Sequence, residues 1–452
     1  MDFPTDISQL VGYYVVETLF DLQLLVRSGF LAIHRDALQY THLLFRDMND
    51  TAVVNPQMFA GLRRITFQQF YHDCTILAQL APRLEKLDLG SCQHLSSTDT
   101  LAQFTKLHTL SMKACYTCSG FYGLRSLRSL HLSYCGPIEG EFNTLEHLSL
   151  DFCSIGKITN INPKLQSLEM QRNVPLRSVE METFEDWFYD LGQLTCLTTL
   201  KINEDRYINN LNADKIKHLA RLRHLEMLDS NVTVFNFVRH LKSLRVLSVG
   251  SFFDWTTLAH VALESFSSTW TVVSNICCLS TQTGLTFLRL EQPHNVWRDP
   301  TSELCKLLPC LTQLRTLELT HWQILLWELP VCPSVTVLSV DDCETCTDDT
   351  LAWLVRSFPN VEALNVENTK ITNAGLSLLS DQLRELRIGA CAVTDVSALR
   401  RLAHLNFVDL SFCEVERVDM LPRSLKTLKA TSCLKIDPNS MLKLRRRRVK
   451  IL

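Results

Sequence analysis

Apolar residues recur along this chain in a short, fixed pattern. In Leu383-Arg-Glu-Leu386-Arg-Ile388-Gly-Ala-Cys391 they hold positions 1, 4 and 6, and a cysteine closes the unit at position 9. The pattern returns at Leu405-Asn-Phe-Val408-Asp-Leu410-Ser-Phe-Cys413 and again at Leu425-Lys-Thr-Leu428-Lys-Ala430-Thr-Ser-Cys433. Alternation around positions 4 and 6 describes an extended segment with one buried face and one wet face. Following the register gives sixteen units, starting at Leu62, Leu84, Leu107, Leu127, Leu145, Leu165, Leu197, Leu222, Leu244, Leu285, Leu314, Val335, Val361, Leu383, Leu405 and Leu425. A unit of this length cannot bury a core alone, so consecutive units must stack. The pattern predicts parallel strands in one long curved sheet, with positions 3, 5 and 7 leaving its concave face.

Units of 18 to 22 residues leave no room for a full helix and should return through 3₁₀ or extended segments. Two longer units, Cys343-Glu-Thr-Cys-Thr-Asp-Asp-Thr-Leu351-Ala-Trp-Leu354 and, in part, Thr369-Lys-Ile371-Thr-Asn-Ala-Gly-Leu376, should return through helices capped by Thr or Asp. Three spacings are too long for one unit, which places insertions near 171–196, 251–284 and 291–313. The first holds an amphipathic helix pattern over Met181–Leu191. The second holds another from Trp255 to Leu263 and has room to hide one degenerate repeat. All seven tryptophans lie between residues 187 and 353. Two accounts are open: tryptophan-rich partner surfaces, or inserted helices packing their indoles onto the repeats.

These repeats resemble the cysteine-containing class of leucine-rich repeat. The resemblance implies an α/β solenoid, a leucine-rich repeat horseshoe with a parallel concave sheet, preceded by a small helical N-terminal module. Residues 1–55 form that module, and 56–452 form the solenoid. In the module, Ile7, Leu10, Val11, Val15, Val16, Leu19, Phe20, Leu22, Leu25 and Val26 recur at helical spacing, with a break near Gly29. A cap covering the first repeat's open core is one account. The other rests on the order Phe3-Pro4-x-Asp6-Ile7, Leu10, Leu19-Phe20, Asp21-Leu22 and Asp36-Ala-Leu38-Gln-Tyr40-Thr-His-Leu43, which resembles an F-box. That resemblance implies that Pro4, Ile7, Leu10, Leu19 and Leu22 face the adaptor subunit of a cullin-type ubiquitin ligase, while the repeats hold a protein substrate. The opening is Phe-Pro where the family has Leu-Pro.

Composition changes this picture in three places. The net charge of −3 and a pI near 6.5 make no case for nucleic acid or membrane as a partner. The acidic start, Met-Asp-Phe-Pro-Thr-Asp, carries no secretory pattern, so reduced thiols in the cytoplasm or nucleus are expected. Of the 17 cysteines, Cys92, Cys115, Cys135, Cys153, Cys343, Cys391, Cys413 and Cys433 all fall on position 9, which makes the cysteine count a packing feature.

No phosphate loop, nucleophile elbow or zinc-ligand spacing is present. The pairs Cys115/Cys118 and Cys343/Cys346 sit far apart on different repeats, and each begins on the ladder position. Cys277-Cys278 is expected to pack inside an inserted segment. No catalytic, cofactor or metal residue is expected, and the reading is of a non-enzyme. What remains is a surface of mixed charge and scattered aromatics: Phe287, Arg289, Glu291, Glu318, Asp341, Arg387 and Phe407. Such a surface suits a protein partner of a chain monomeric by itself. The expected function is a scaffold recruiting a protein to a cullin-type ligase; the alternative is a binding scaffold with no ligase role. The basic run Lys443-Leu-Arg-Arg-Arg-Arg-Val449-Lys450 reads as an import signal, a nucleic-acid patch, or a terminal edge strand with Val449 and Ile451 on positions 4 and 6.

Overall fold

The computed structural model describes residues 42–45, 63–67, 83–91, 95, 98–118, 120–136, 138–159, 161–175, 190–204, 213–228, 232, 234–252, 255–271, 276–292, 301–322 and 329–452. The five positions expected to meet an adaptor, Pro4, Ile7, Leu10, Leu19 and Leu22, lie outside them, as does the helix pattern of residues 181–189. The chain forms two compact units, Met1–His224 and Leu225–Leu452.

In the first unit each repeat contributes one strand: β1 His42–Phe45, β2 Arg64–Phe67, β3 Lys86–Gly90, β4 Thr109–Lys113, β5 Ser129–Ser133, β7 His147–Asp151, β9 Ser167–Gln171 and β11 Thr199–Asn203. They pair in chain order, all parallel. Registration is residue for residue, so Leu87, Leu110, Leu130, Leu148, Leu168 and Leu200 form one buried row at position 4. Leu89, Met112, Leu132, Leu150, Met170 and Ile202 form the row at position 6. A one-residue slip would turn both rows to solvent, so this register is strongly specified. The shortest repeats return through extended segments, as expected. Their returns β6 Ile138–Glu141 and β8 Ser154–Thr159, joined by β10 Val174–Pro175 of the longer Leu165 repeat, make a second, three-stranded parallel sheet.

Strand β12, His224–Met227, falls where the two units divide. In the second unit β13 Val246–Phe252, β14 Ser265–Thr271, β15 Phe287–Glu291, β16 Thr316–Thr320, β17 Val337–Ser339, β18 Ala363–Asn365, β19 Glu385–Arg387, β20 Phe407–Asp409, β21 Thr427–Lys429 and β22 Lys450–Ile451 again pair parallel in order. The returns are 3₁₀ turns at Asn236–His240, Trp255–His260, Ile276–Thr281 and Ser397–Arg401. Where the repeat is longer they are helices: α1 Thr301–Leu307, α2 Asp348–Ser357, α3 Asn373–Leu376 and α4 Pro438–Arg446. Thr372 caps α3 by accepting the Ala374 N–H. Thr347 precedes α2 without that bond, and Asp348 instead accepts from Thr372 N–H at 2.9 Å, tying neighbouring repeats together.

One open alternative is decided and two sequence expectations change. The stretch 251–284 is a complete repeat: Leu247, Phe266 and Leu288 are in register across β13, β14 and β15. The sequence hid it because position 6 is Ser268, which is buried but polar. The sheet begins inside the expected helical module, since Leu43 aligns with Ile65 and Phe45 with Phe67. The last strand exists, but Ile451 aligns with Leu428, so Ile451 stands at position 4 where position 6 was expected. Helix α4 consumes more chain than a 21-residue repeat allows, and it takes Lys443, Arg445 and Arg446 with it.

Two rules of local geometry recur in both units. Position 8 adopts a left-handed backbone, with φ between 49° and 63°, at Ser91, Ala114, Tyr134, Phe152, Arg172, Glu204, His321, Asp342, Asn368, Ala390, Phe412 and Ser432. Such a conformation costs about 1–2 kcal/mol for a residue with a Cβ. In return the position-8 N–H reaches the position-7 carbonyl of the next repeat, as from Ala114 to Ser133 at 2.8 Å and from Ala390 to Ser411 at 2.7 Å. The turn also throws position 9 inward. There the side chain donates to the position-6 carbonyl of the preceding repeat: Cys343 Sγ to Leu319 at 3.2 Å, Cys391 to Val366 at 3.0 Å, Cys413 to Ile388 at 3.1 Å and Cys433 to Leu410 at 2.9 Å.

Candidate binding face

The described position-9 cysteines serve packing: all but the half-buried Cys433 are buried. Burial pushes the Cys413 thiol up to about 11 and Cys346 up to about 12, so both stay protonated and non-nucleophilic near neutral pH. Cys115, Cys118, Cys343 and Cys346 are buried free thiols, and among the described residues no group of side chains is arranged to hold a metal ion. Cys277 packs against α1, where its N–H donates to Glu303 Oε2 at 3.4 Å. Trp255 and Trp322 are buried, which favours the packing account of these indoles over a partner surface. Trp322 stands at position 9 of its repeat, in the cysteine column. A void of about 10 Å³ beside Leu338, Leu351, Leu354, Phe358 and Leu379 has scarcely room for one water, so it holds no substrate.

The open face of the second unit carries the predicted site residues. Phe287, Arg289 and Glu291 are positions 3, 5 and 7 of β15 and lie half-buried beside the buried Leu288 and Leu290. Position 5 continues as a row through Glu318, Ser339, Asn365, Arg387, Asp409 and Lys429 on consecutive strands. Within it the structure makes two clusters.

In the first cluster the Arg289 guanidinium reaches Glu291 at 3.5 Å and Glu318 at 3.8 Å. Asp341 Oδ1 accepts from Ser339 Oγ at 2.6 Å and from Thr320 Oγ1 at 3.3 Å. Burial pushes the Glu318 carboxyl above the usual carboxylate range, and the Asp341 charge adds to that, with Arg289 opposing. In the second cluster the Arg387 guanidinium lies 5.6 Å from the Phe407 ring centroid. Beside it Lys429 pairs with the buried Asp409 at 2.8 Å. Burial opposes ionisation of Asp409, but Lys429 and Ser411 outweigh it and hold this carboxyl below its ordinary range. Phe287 and Phe407 share the position-3 row, with β16, β17, β18 and β19 between their strands, so they do not meet.

Three features were not legible beforehand. Asn173 replaces cysteine at position 9. Its amide donates to Leu150 O at 2.9 Å and accepts from Cys153 N–H at 2.9 Å. Thr369 is buried in the same column and donates to Val366 O at 2.7 Å. On the first unit, position-8 side chains stack from one repeat to the next: Tyr134 on Phe152 at 4.6 Å and 9°, then the Arg172 guanidinium 4.8 Å from Phe152 and ion-paired with Glu204. The aromatics at position 8 were visible in the sequence; the left-handed turn that aligns them was not.

No protein-family model matches the chain, and no curated protein matches it in sequence. Solved structures do match. The chain is similar to TLR13 in its complex with ssRNA13, at 19% identity and a TM-score of 0.53. That match covers 86% of this chain and 60% of the TLR13 chain, so this chain spans less than two thirds of it. It is also similar to a leucine-rich repeat protein of Leptospira interrogans (16% identity, TM-score 0.38, 92% of this chain and 90% of that one). A third likeness is to the functional domain of InlJ from Listeria monocytogenes (17%, 0.44, 85% and 76%). With the registered parallel strands and the position-9 column, the TLR13 likeness defines the fold as a leucine-rich repeat solenoid. Among the described residues, no helix is long and apolar enough to cross a membrane.

Proposed function

We propose that the chain is a protein-binding scaffold with no catalytic role, and that the open face around Phe287, Arg289, Glu291, Glu318, Asp341, Arg387 and Phe407 takes a protein partner. One observation carries this: consecutive strands present charged groups of both signs, from the half-buried Arg289 and Glu318 to the exposed Arg387, with an aromatic at each end. TLR13 is described in complex with ssRNA13. The face here interleaves acids with bases where a nucleic-acid backbone would want a continuous basic stripe, so a protein is the better match. The unbridged, buried thiols suit the reducing cytoplasm or nucleus.

The finer reading is recruitment of that partner to a cullin-type ubiquitin ligase, with Pro4, Ile7, Leu10, Leu19 and Leu22 on the adaptor. Its support is the order of residues from Phe3 to Leu43. The second reading is a scaffold whose N-terminal segment only caps the repeats; its support is that β1, inside residues 1–55, belongs to the solenoid sheet. Purified adaptor–cullin complex distinguishes the two. The ligase reading expects retention by the full chain and loss on removing residues 1–41, a deletion that spares β1. No retention by the full chain leaves the capping scaffold. For the open face, a photo-crosslinker at Phe407 should capture a partner that Arg289→Glu with Arg387→Glu releases; capture unchanged by both reversals rejects the face.

A further inference from the structure

The basic run at residues 443–450 is folded into the end of the second unit. Lys443, Arg445 and Arg446 occupy the last turn of α4, and Lys450 lies on β22. Arg448 between them takes a left-handed backbone at φ 61°. Arg447 locks the helix end to the preceding repeat by donating to the carbonyls of Leu421, at 3.1 Å, and Pro422, which brings Arg423 to the same end. The Lys450 N–H bonds to Lys426 O at 2.8 Å, which sets Lys426 at the neighbouring strand. Lys443 pairs with Asp419 at 2.7 Å, and Lys435 with Glu414 at 2.7 Å. Arg423, Lys426, Arg445, Arg446, Arg448 and Lys450 are exposed, and none has an ion-pair partner among the described residues. Like charges gathered this way repel one another and call for an external anion.

Leucines stand among these cations. Leu442 is 46% exposed and lies one turn before Arg445 and Arg446, on the same helix face. Leu452 is 53% exposed and follows Lys450 by two residues, on the same side of the extended chain. We propose that this end of the unit docks on an anionic lipid surface. The leucines enter the interface, and the six free cations meet the headgroups. A lipid interface uses both features together. A single-stranded nucleic acid would use aromatic stacking, and residues 434–452 contain no aromatic side chain.

Vesicle flotation of the full chain tests this. Binding is expected to phosphatidylcholine vesicles carrying about 30 mol % phosphatidylserine and not to phosphatidylcholine alone, and it should weaken with salt. Arg445→Gln with Arg446→Gln should lower partitioning roughly thirtyfold. Leu442→Ser with Leu452→Ser should lower it by about tenfold. Arg423→Gln with Lys426→Gln, outside α4, should reproduce the cation effect, which excludes misfolding of the helix as its cause; circular dichroism checks each variant. Absence of binding, equal binding to neutral vesicles, or binding indifferent to both cation pairs overturns the proposal. Displacement from the vesicles by single-stranded RNA, with the leucine pair dispensable, also overturns it and assigns the patch to nucleic acid.

Discussion

Asn173 shows what a single side chain does in this fold. Its amide satisfies a buried carbonyl and a buried N–H of the preceding repeat, those of Leu150 and Cys153. Asn173→Ala should therefore cost about 2–4 kcal/mol, read as a lower urea midpoint. Cys413→Ala removes only a weak donor and should cost about 1 kcal/mol. Glu367 sets a pH dependence. Burial, the nearby Asp409 charge and a hydrogen bond to that carboxylate push its carboxyl above the ordinary range. A raised folded value means that the native state loses stability as pH rises through it. Glu367→Gln keeps a donor toward Asp409 and removes the charge. The variant should melt higher than the parent near neutral pH, and the difference should vanish below about pH 4. Asp409 runs the other way: its contribution is present above the unfolded carboxylate value and lost as pH falls through the depressed folded one.

At the scale of elements, the turn out of each strand and the return to the next divide the work. The twelve position-8 residues named above hold a left-handed backbone that glycine would adopt without cost, yet none of them is glycine. Ala390 is exposed and its side chain does little, so Ala390→Gly should raise stability by up to about 1 kcal/mol in thermal melts, and Ala390→Val should lower it. Phe152 differs, because its ring lies between Tyr134 and Arg172; Phe152→Ala should cost about 0.5–1.5 kcal/mol beyond the lost area. Helix α4 is held at its start by Asp437, which accepts the N–H groups of Asn439 and Ser440. Ser440 Oγ in turn accepts from Val418 and Asp419 N–H at 2.7 and 2.8 Å, joining helix to solenoid. Asp437→Ala should cost about 1 kcal/mol and appear first as faster amide exchange across 438–446.

Across the molecule, stability is a sum over neighbouring repeats, since each strand pairs with the next in chain order within its unit. Leu386 is fully buried at position 4 between Leu364 and Val408. Leu386→Ala should cost about 2–5 kcal/mol, and amide exchange should accelerate at Ala363–Asn365 and Phe407–Asp409 well before it does at Lys86–Gly90. Exposed or half-buried side chains at positions 3, 5 and 7, such as Arg289 and Arg387, leave the shared core and are free to vary, unlike the buried Asp409 and Ser411. Charge reversal at Arg289 and Arg387 should accordingly move stability little while abolishing partner capture.

The sequence by itself determined the strands and their register. Leucines at positions 1, 4 and 6 can be buried in only one alignment, and an inward position 9 admits a small donor such as cysteine. Where one position broke the pattern, the repeat was hard to see: the buried but polar Ser268 left β14 as no more than a possible degenerate repeat. The C-terminal register escaped for a different reason, because the length of α4 is set by its caps and its packing while a repeat count assumes a constant length. Only the tertiary structure decided which charges meet. Arg289 with Glu318, Lys429 with Asp409, Tyr134 with Phe152 and Lys450 beside Lys426 are all about one repeat apart in sequence and adjacent in space. Hydrophobic periodicity fixes what is buried locally; contacts between exposed side chains depend on how neighbouring turns are aligned, and that is settled when the repeats stack.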